Sequence, residues 1–294
     1  MSGKNIPVLY AMSMLAAFYA TTVFGDICNT DYEGQIKNQG DEVIVRLVPE
    51  IEIHDYVRGQ KLIYDTPEAS TRSLLIDKGK SFQHSINDVD ELQADVKYRE
   101  AWSADGAMRL KGSTDTTILS DVYSDAHASN AGATAGAISA GFNLGVAGTP
   151  LVVTKSNILD VIVDCGTVLD EQNVPEDNRF LILPAKYCGS IKKSDLANAS
   201  ISGDGTSIRR NGRLGEIDRF TLYSSNNIST VTDTTRCSHA IFGHKSAITF
   251  AAQMNKSETL KNPDDFGDLF RALMIYGYKV MRPEALGHLY ISAT

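Results

Sequence analysis

The sequence predicts an α+β protein: one long helix as a spine, charged β-hairpins beside it, and a compact mixed unit in the second half. Three patterns carry that expectation. From about Asp88 to about Asp125 the chain keeps a helical period. Between Glu42 and Ile86 it shows strand-like alternation broken by turns. After Thr154, helical and strand-like segments follow one another at short intervals.

The spine opens with Asp88-Val89-Asp90-Glu91, where Asp88 can cap the first free amides and Glu91 can answer from three residues on. Val89, Leu92 and Val96 recur at spacings of three and four, and Ala107, Leu110, Ile118 and Val122 resume that face. Gly106 and Gly112 interrupt it, each at about 1 kcal/mol against alanine. Such a helix is on the order of 50 Å long, too long to hide inside a small domain.

A chain of 294 residues with 43% apolar and 22% charged content can bury a real core. Its net charge of −8 argues against a general nucleic-acid-binding surface, which needs a cationic face. Cys28, Cys165, Cys188 and Cys237 are scattered without a CxxC pair and read as free buried thiols in a reducing compartment. The apolar run Ile6 to Phe24 has only Lys4 before it, Pro7 at its start, and tyrosines and threonines within it. It reads as an amphipathic packing helix, not as a signal or membrane anchor.

Taken in order, Glu42 to Leu47 and Glu50 to His54 read as alternating strands divided by Pro49, with Val43, Val45 and Leu47 on one face. Asp55 to Gln60 reads as a turn and Lys61 to Tyr64 as a returning strand. Ser73 to Ile76 and Ser81 to Ile86 read as a second hairpin closed over Asp77 to Lys80. Ala131 to Pro150, rich in glycine and alanine but without a phosphate-loop pattern, reads as a flexible connection. Thr154 is the expected cap of a helix with Ile158, Ile162, Cys165 and Leu169 on one face. Arg179 to Leu183 reads as a buried strand, Ala185 to Ala199 as a helix, and Ser202 to Gly215 as an exposed loop. Glu216 to Tyr223 alternates with apolar residues on both faces, and Ala272 to Val280 is the last strong strand candidate.

Chemistry is sparse. Cys237, His239 and His244 are the nearest thing to a metal cluster, but no fourth ligand stands at suitable spacing. There is no Gly-x-Ser-x-Gly elbow, and the acidic pairs Asp88/Asp90 and Asp264/Asp265 are explained by capping and solvation. Trp102 is expected to be a packing anchor on the spine. The expectation is no catalytic site, no cofactor and no metal.

Five blocks then stand out: Gly34 to Val43 followed by Asp55-Tyr56; Ile86 to Gln93; Leu169 to Phe180; Gly215 to Phe220; and Tyr276 to Leu286. In their order along nearly the whole chain they resemble the major capsid proteins of tailed bacteriophages. The resemblance implies the Hong Kong 97 type of capsid fold. Its parts would be an N-terminal arm (1–32), an extended loop (33–80), a peripheral domain with the spine helix (81–154), an axial domain (155–265), and a return to the peripheral domain (266–294). It implies a non-enzymatic coat protein of the virion that assembles in the host cytoplasm, through hexamers and pentamers of itself, around double-stranded DNA.

On that reading a separate scaffolding protein, a portal and a decoration protein are further partners, DNA is met only by non-specific proximity, and no membrane is involved. A separate scaffold is expected because the chain shows no long N-terminal extension. The acidic spine residues, Asp88, Asp90, Glu91, Asp95, Glu100, Asp105, Asp115, Asp121 and Asp125, would face the packaged DNA and repel it. The inter-subunit contact candidates are Asp55, Tyr56, Arg58 and Lys61 at the loop tip, and Arg209, Arg210 and Arg213 in the glycine-rich loop. Lys61 has no marked asparagine partner or catalytic glutamate, so no covalent cross-link is assigned. The alternatives are an encapsulin-type compartment enclosing protein cargo, and an α/β enzyme with an unrecognised site.

Overall fold

The computed structural model describes residues 22–30, 42–46, 51–56, 58–59, 61, 64, 66, 71–87, 98–194, 215–233 and 235–293. In chain order the helices are α1 (Phe24–Ile27), α2 (Tyr98–Asp121, the spine), α3 (Ile158–Glu171) and α4 (Ala185–Lys193). The strands are β1 (Glu42–Arg46), β2 (Thr71–Leu75), β3 (Lys78–Asn87), β4 (Leu151–Val153), β5 (Arg179–Leu183), β6 (Glu216–Ile217), β7 (Phe220–Ser224), β8 (Thr230–Thr232), β9 (Arg236–His244), β10 (Ile248–Lys261), β11 (Gly267–Val280) and β12 (Leu286–Ala293). They form a two-stranded sheet β1-β2, a three-stranded sheet β10-β11-β3, and a seven-stranded sheet β4-β12-β9-β5-β7-β6 with β8 added beside β9. The apolar N-terminal run before Thr22 and the first turns of the spine, Asp88 to Lys97, lie outside the described residues.

The spine packs on the three-stranded sheet. Ile118, Leu119 and Val122 are buried, but Ala107 is exposed, because the buried position on that turn belongs to Gly106. A methyl group there would lie 2.2 Å from the Phe82 ring, so the helix-weakening glycine is what lets β3 come close. Further along, the Lys80 ammonium donates to the Ser113 carbonyl (2.7 Å), the Ser113 hydroxyl (2.6 Å) and the Thr117 hydroxyl (2.6 Å). Trp102 is only partly packed, edge-on to His84 with ring centroids 5.7 Å apart.

Asp115 corrects the expectation that every acidic spine residue faces packaged DNA. It is fully buried, and its carboxylate accepts from the backbone amides of Val23 (3.0 Å) and Phe24 (2.9 Å) and from the Asn227 side chain (2.7 Å). Asp105 and Asp121 are engaged too, the first with Arg109 and the second with Tyr278 and Lys78.

The second expected hairpin does not exist. β2 pairs with β1, whereas β3 pairs with β11, so Ser73–Ile76 and Ser81–Ile86 belong to different sheets. The reason lies in the packing: Leu74 and Ile76 are buried against Ala251, Ile275 and Met281, across the face of the three-stranded sheet. Gly277 permits the crossing, since a Cβ there would stand 2.2 Å from the Leu75 carbonyl oxygen. With β1 taking β2 as its partner, residues 51–56 have no ladder and are not a strand, and neither Lys61 nor Tyr64 is in one.

In the second half, Ile158, Ile162, Cys165 and Leu169 are buried along α3 as their spacing predicts. Asn157, not Thr154, occupies the cap position, and its side-chain oxygen instead accepts from the Thr154 amide at 2.7 Å. β5 is buried at every position. Glu216 to Tyr223 is a tight hairpin, not one strand, because Asp218 and Arg219 take positive φ angles of 47° and 65°. Ala131 to Pro150 is seated and ordered: Ala135 and Leu144 are buried, the Leu144 carbonyl accepts from the Tyr290 amide at 2.8 Å, and the Glu171 carboxylate accepts from the amides of Ile138 and Ser139. Ala272 to Val280 is part of β11, and a later strand, β12, lies between β4 and β9 in the seven-stranded sheet.

Arg179 ties these pieces together. Its side chain is fully buried and donates to the carbonyls of Pro175 (2.8 Å), Gly166 (3.4 Å) and Val174 (2.7 Å) and to Asp170 (2.7 Å). Asp170 also accepts from Arg219 at 2.7 Å, on the β6–β7 turn. Burial pushes the Asp170 carboxyl up, but the Arg219 and Arg179 hydrogen bonds outweigh it and hold the group below its ordinary value.

Two stability predictions follow from this packing. Gly277→Ala is expected to lower urea-unfolding stability by about 1–3 kcal/mol, because the clash is with backbone and outweighs any gain in chain stiffness. Arg179→Met is expected to cost about 3 kcal/mol, the lower end for breaking a buried pair, because Asp170 keeps access to water. An unchanged denaturation midpoint in either variant contradicts the corresponding contact.

Candidate assembly surface

One surface that stands apart from the core is formed by the described residues between β1 and β2. Its described residues at 51–56, 58–59, 61 and 64 are all exposed. Arg58 and Gly59 make the turn, with Gly59 at φ 89°, a conformation that favours glycine. Asp55, Tyr56, Arg58 and Lys61 are exposed on either side of that turn or within it. Arg209, Arg210 and Arg213 lie outside the described residues.

The alternation did not reveal how much apolar surface this loop leaves in solvent. Ile53 is 93% exposed and Tyr64 87%, with Ile51 and Tyr56 also exposed, as is Ile44 on β1. An isolated exposed isoleucine is ordinary, but several among the described residues of one segment are what a contact surface presents. The hairpin end between β10 and β11 supplies another apolar point. Phe266 is 83% exposed there, while its backbone amide donates to Asp265, which also accepts from Asn87.

The residues considered for metal or nucleophilic chemistry go to separate partners. Cys237 donates to the Thr235 carbonyl, His244 meets Ser246 at 2.7 Å, and His239 meets His288 at 2.9 Å. Among the described residues, no three His, Cys, Asp or Glu side chains are grouped to hold a metal. The four cysteines are free and buried, and burial pushes the thiols of Cys28, Cys165 and Cys188 up, away from thiolate chemistry.

No family model and no curated protein matches this sequence. Solved structures do match. A chain of Mycobacterium phage Che8 is similar with a TM-score of 0.76 at 26% identity, over 99% of this chain and 98% of that one. A chain from the capsid of cyanophage P-SCSP1u gives 0.75 at 17% identity, over 97% and 92%. One from the mature capsid of bacteriophage PhiM1 gives 0.68 at 13% identity, over 97% and 91%. The likeness runs over nearly the whole length of each chain, and this chain has the phage capsid fold.

Proposed function

We propose that this chain is the major capsid protein of a tailed phage, of the Hong Kong 97 type, and that it self-assembles into the icosahedral head around double-stranded DNA. One observation carries the reading: the likeness to structures of phage and phage-capsid chains covers 97–99% of this chain. The encapsulin reading is not favoured by these neighbours. The role is structural, not enzymatic, and it is exercised in the virion after assembly in the host cytoplasm.

The proposed division is an arm to residue 32, an extended loop at 33–80, a peripheral unit at 81–154 and 266–294, and an axial unit at 155–265. The sheet order cuts across those limits, since β10, within 155–265, pairs with β11, and β12, within 266–294, joins the seven-stranded sheet of β5, β7 and β9. A separate scaffolding protein, a portal and a decoration protein complete the proposed partners. The Arg209, Arg210 and Arg213 loop is proposed to meet its copies near a symmetry axis, because it leads into β6 at the edge of that sheet.

Magnitudes divide the labour within the extended loop. Burying one isoleucine is worth about 1.5–3 kcal/mol, whereas one exposed ion pair is worth about 0–1 kcal/mol. Ile51, Ile53 and Tyr56 therefore supply the adhesion to a neighbouring copy, and Asp55, Arg58 and Lys61 set its register. Repetition in every copy multiplies both.

Electron microscopy of the purified protein tests the function. Closed shells are expected; a monodisperse small oligomer under all assembly conditions contradicts the proposal, and shells enclosing protein cargo instead of DNA in infected cells favour the compartment. For the loop, Arg58→Glu with Lys61→Glu is expected to leave folding and melting unchanged but to abolish closed shells at low salt, with the defect altered at high salt. Ile53→Ser with Tyr56→Ser is expected to abolish them at every salt concentration. Normal shell yields from both variants would remove the loop tip from the lattice contacts.

A further inference from the structure

We propose that His239 and His288 form an acid-operated latch that holds the end of the spine helix to the seven-stranded sheet. His239 is on β9 and His288 on β12, and the two imidazoles meet Nδ1 to Nε2 at 2.9 Å. Tyr123 lies over both rings, with centroids 4.2 Å from His239 and 5.0 Å from His288. Tyr123 belongs to the 3-10 turn Val122–Asp125, which continues directly from the spine. The pair is therefore the seat on which the helix end rests.

The chemistry of the contact sets its direction. Two neutral imidazoles share it well, one giving its N–H and the other its lone pair. A first added proton leaves that hydrogen bond intact. A second places N–H against N–H, and the contact cannot survive. The surrounding groups give no relief. Tyr290 packs beside His239 at 4.9 Å and is hydrogen-bonded to Asp233 (3.4 Å), with Cys237 next to it on β9. Asp121, at the end of the spine, is engaged with Tyr278 and Lys78. Among the described residues, neither imidazole has a carboxylate partner.

Burial, then the neighbouring His239, push the His288 imidazole down to about 4, and burial pushes His239 down as well. Folded values below the unfolded one mean that the neutral pair contributes its stability in full above about pH 6.5. That contribution is lost as the pH falls toward 4. The carboxylates held low by hydrogen bonds, Glu171, Glu258 and Asp170, begin to lose theirs only as the pH reaches their ordinary values, at the lower end of the histidine window, so the pair is read at pH 4.5 and above. His84 and His244 are also pushed down, by burial, and titrate in the histidine window from other parts of the fold. A comparison of variants at the pair isolates its share.

The proposal rests on the fold alone and does not require shell assembly. The full chain is compared with His239→Asn/His288→Gln, whose amides stand near the original ring nitrogens and do not titrate. Between pH 6.5 and 4.5, the wild type is expected to lose on the order of 3–5 °C more in melting temperature than the variant. Backbone amides at 122–126, corrected for intrinsic exchange, should be deprotected by acid in the wild type only. Parallel melting curves with equal exchange in both proteins overturn the proposal. If the variant does not fold, histidine ring titration by NMR in the wild type decides: one value near 4 and a second below 6.5 support the latch, and two ordinary values overturn it.

Discussion

One buried carboxylate holds the parts of this protein in register. Asp115 sits in the last third of the spine with no access to solvent, and its described hydrogen-bond donors are all neutral N–H groups. Two belong to the chain entering α1 and one to Asn227, between β7 and β8. Burying a carboxylate is costly unless its lone pairs are satisfied, so the N-terminal segment, the spine and the seven-stranded sheet must all be present together. Removing any one leaves a buried charge exposed or short of donors. The site is an obligate three-way joint.

A second joint does the same for the two larger sheets. The chain passes from β9 to β10 through Lys245–Ala247, and the Ala247 carbonyl accepts from the amides of Met281 (2.8 Å) and Arg282 (3.2 Å) as β11 ends. Both passages between sheets are thereby pinned to each other. Ile248, Phe250 and Tyr276 consequently belong to the same core as Phe242 and Leu286. A rigid body of this kind can project exposed residues such as Ile53 and Tyr56 and still place them reproducibly. Assembly from many weak contacts requires that.

The elements legible in the sequence are those whose order is local. The four-residue face of α3 and the unbroken apolar run of β5 are read from spacing alone. The misread elements depend on partners far along the chain. Ser73–Ile76 and Ser81–Ile86 look like a hairpin until β11 claims the second of them. β12 is easy to overlook because neighbours on both sides and packing on both faces erase the alternation of a half-exposed strand. Asp115 looks like one more solvated acid on a helix, since only its tertiary neighbours distinguish it. At the candidate surface, charge at Asp55, Arg58 and Lys61 was legible, whereas the exposure of Ile51 and Ile53 was hidden by a strand pattern that has no partner strand.

Hydrogen exchange on Asp115→Ala at neutral pH tests the joint most directly. With the carboxylate gone, the amides of Val23 and Phe24 lose their acceptor, and Asn227 loses its partner on the spine. The account predicts a folded chain in which residues 22–29 and 225–228 exchange faster together, while the centre of the seven-stranded sheet at Phe180 to Ile182 stays protected. Wild-type protection at Val23 and Phe24 in that variant would contradict it.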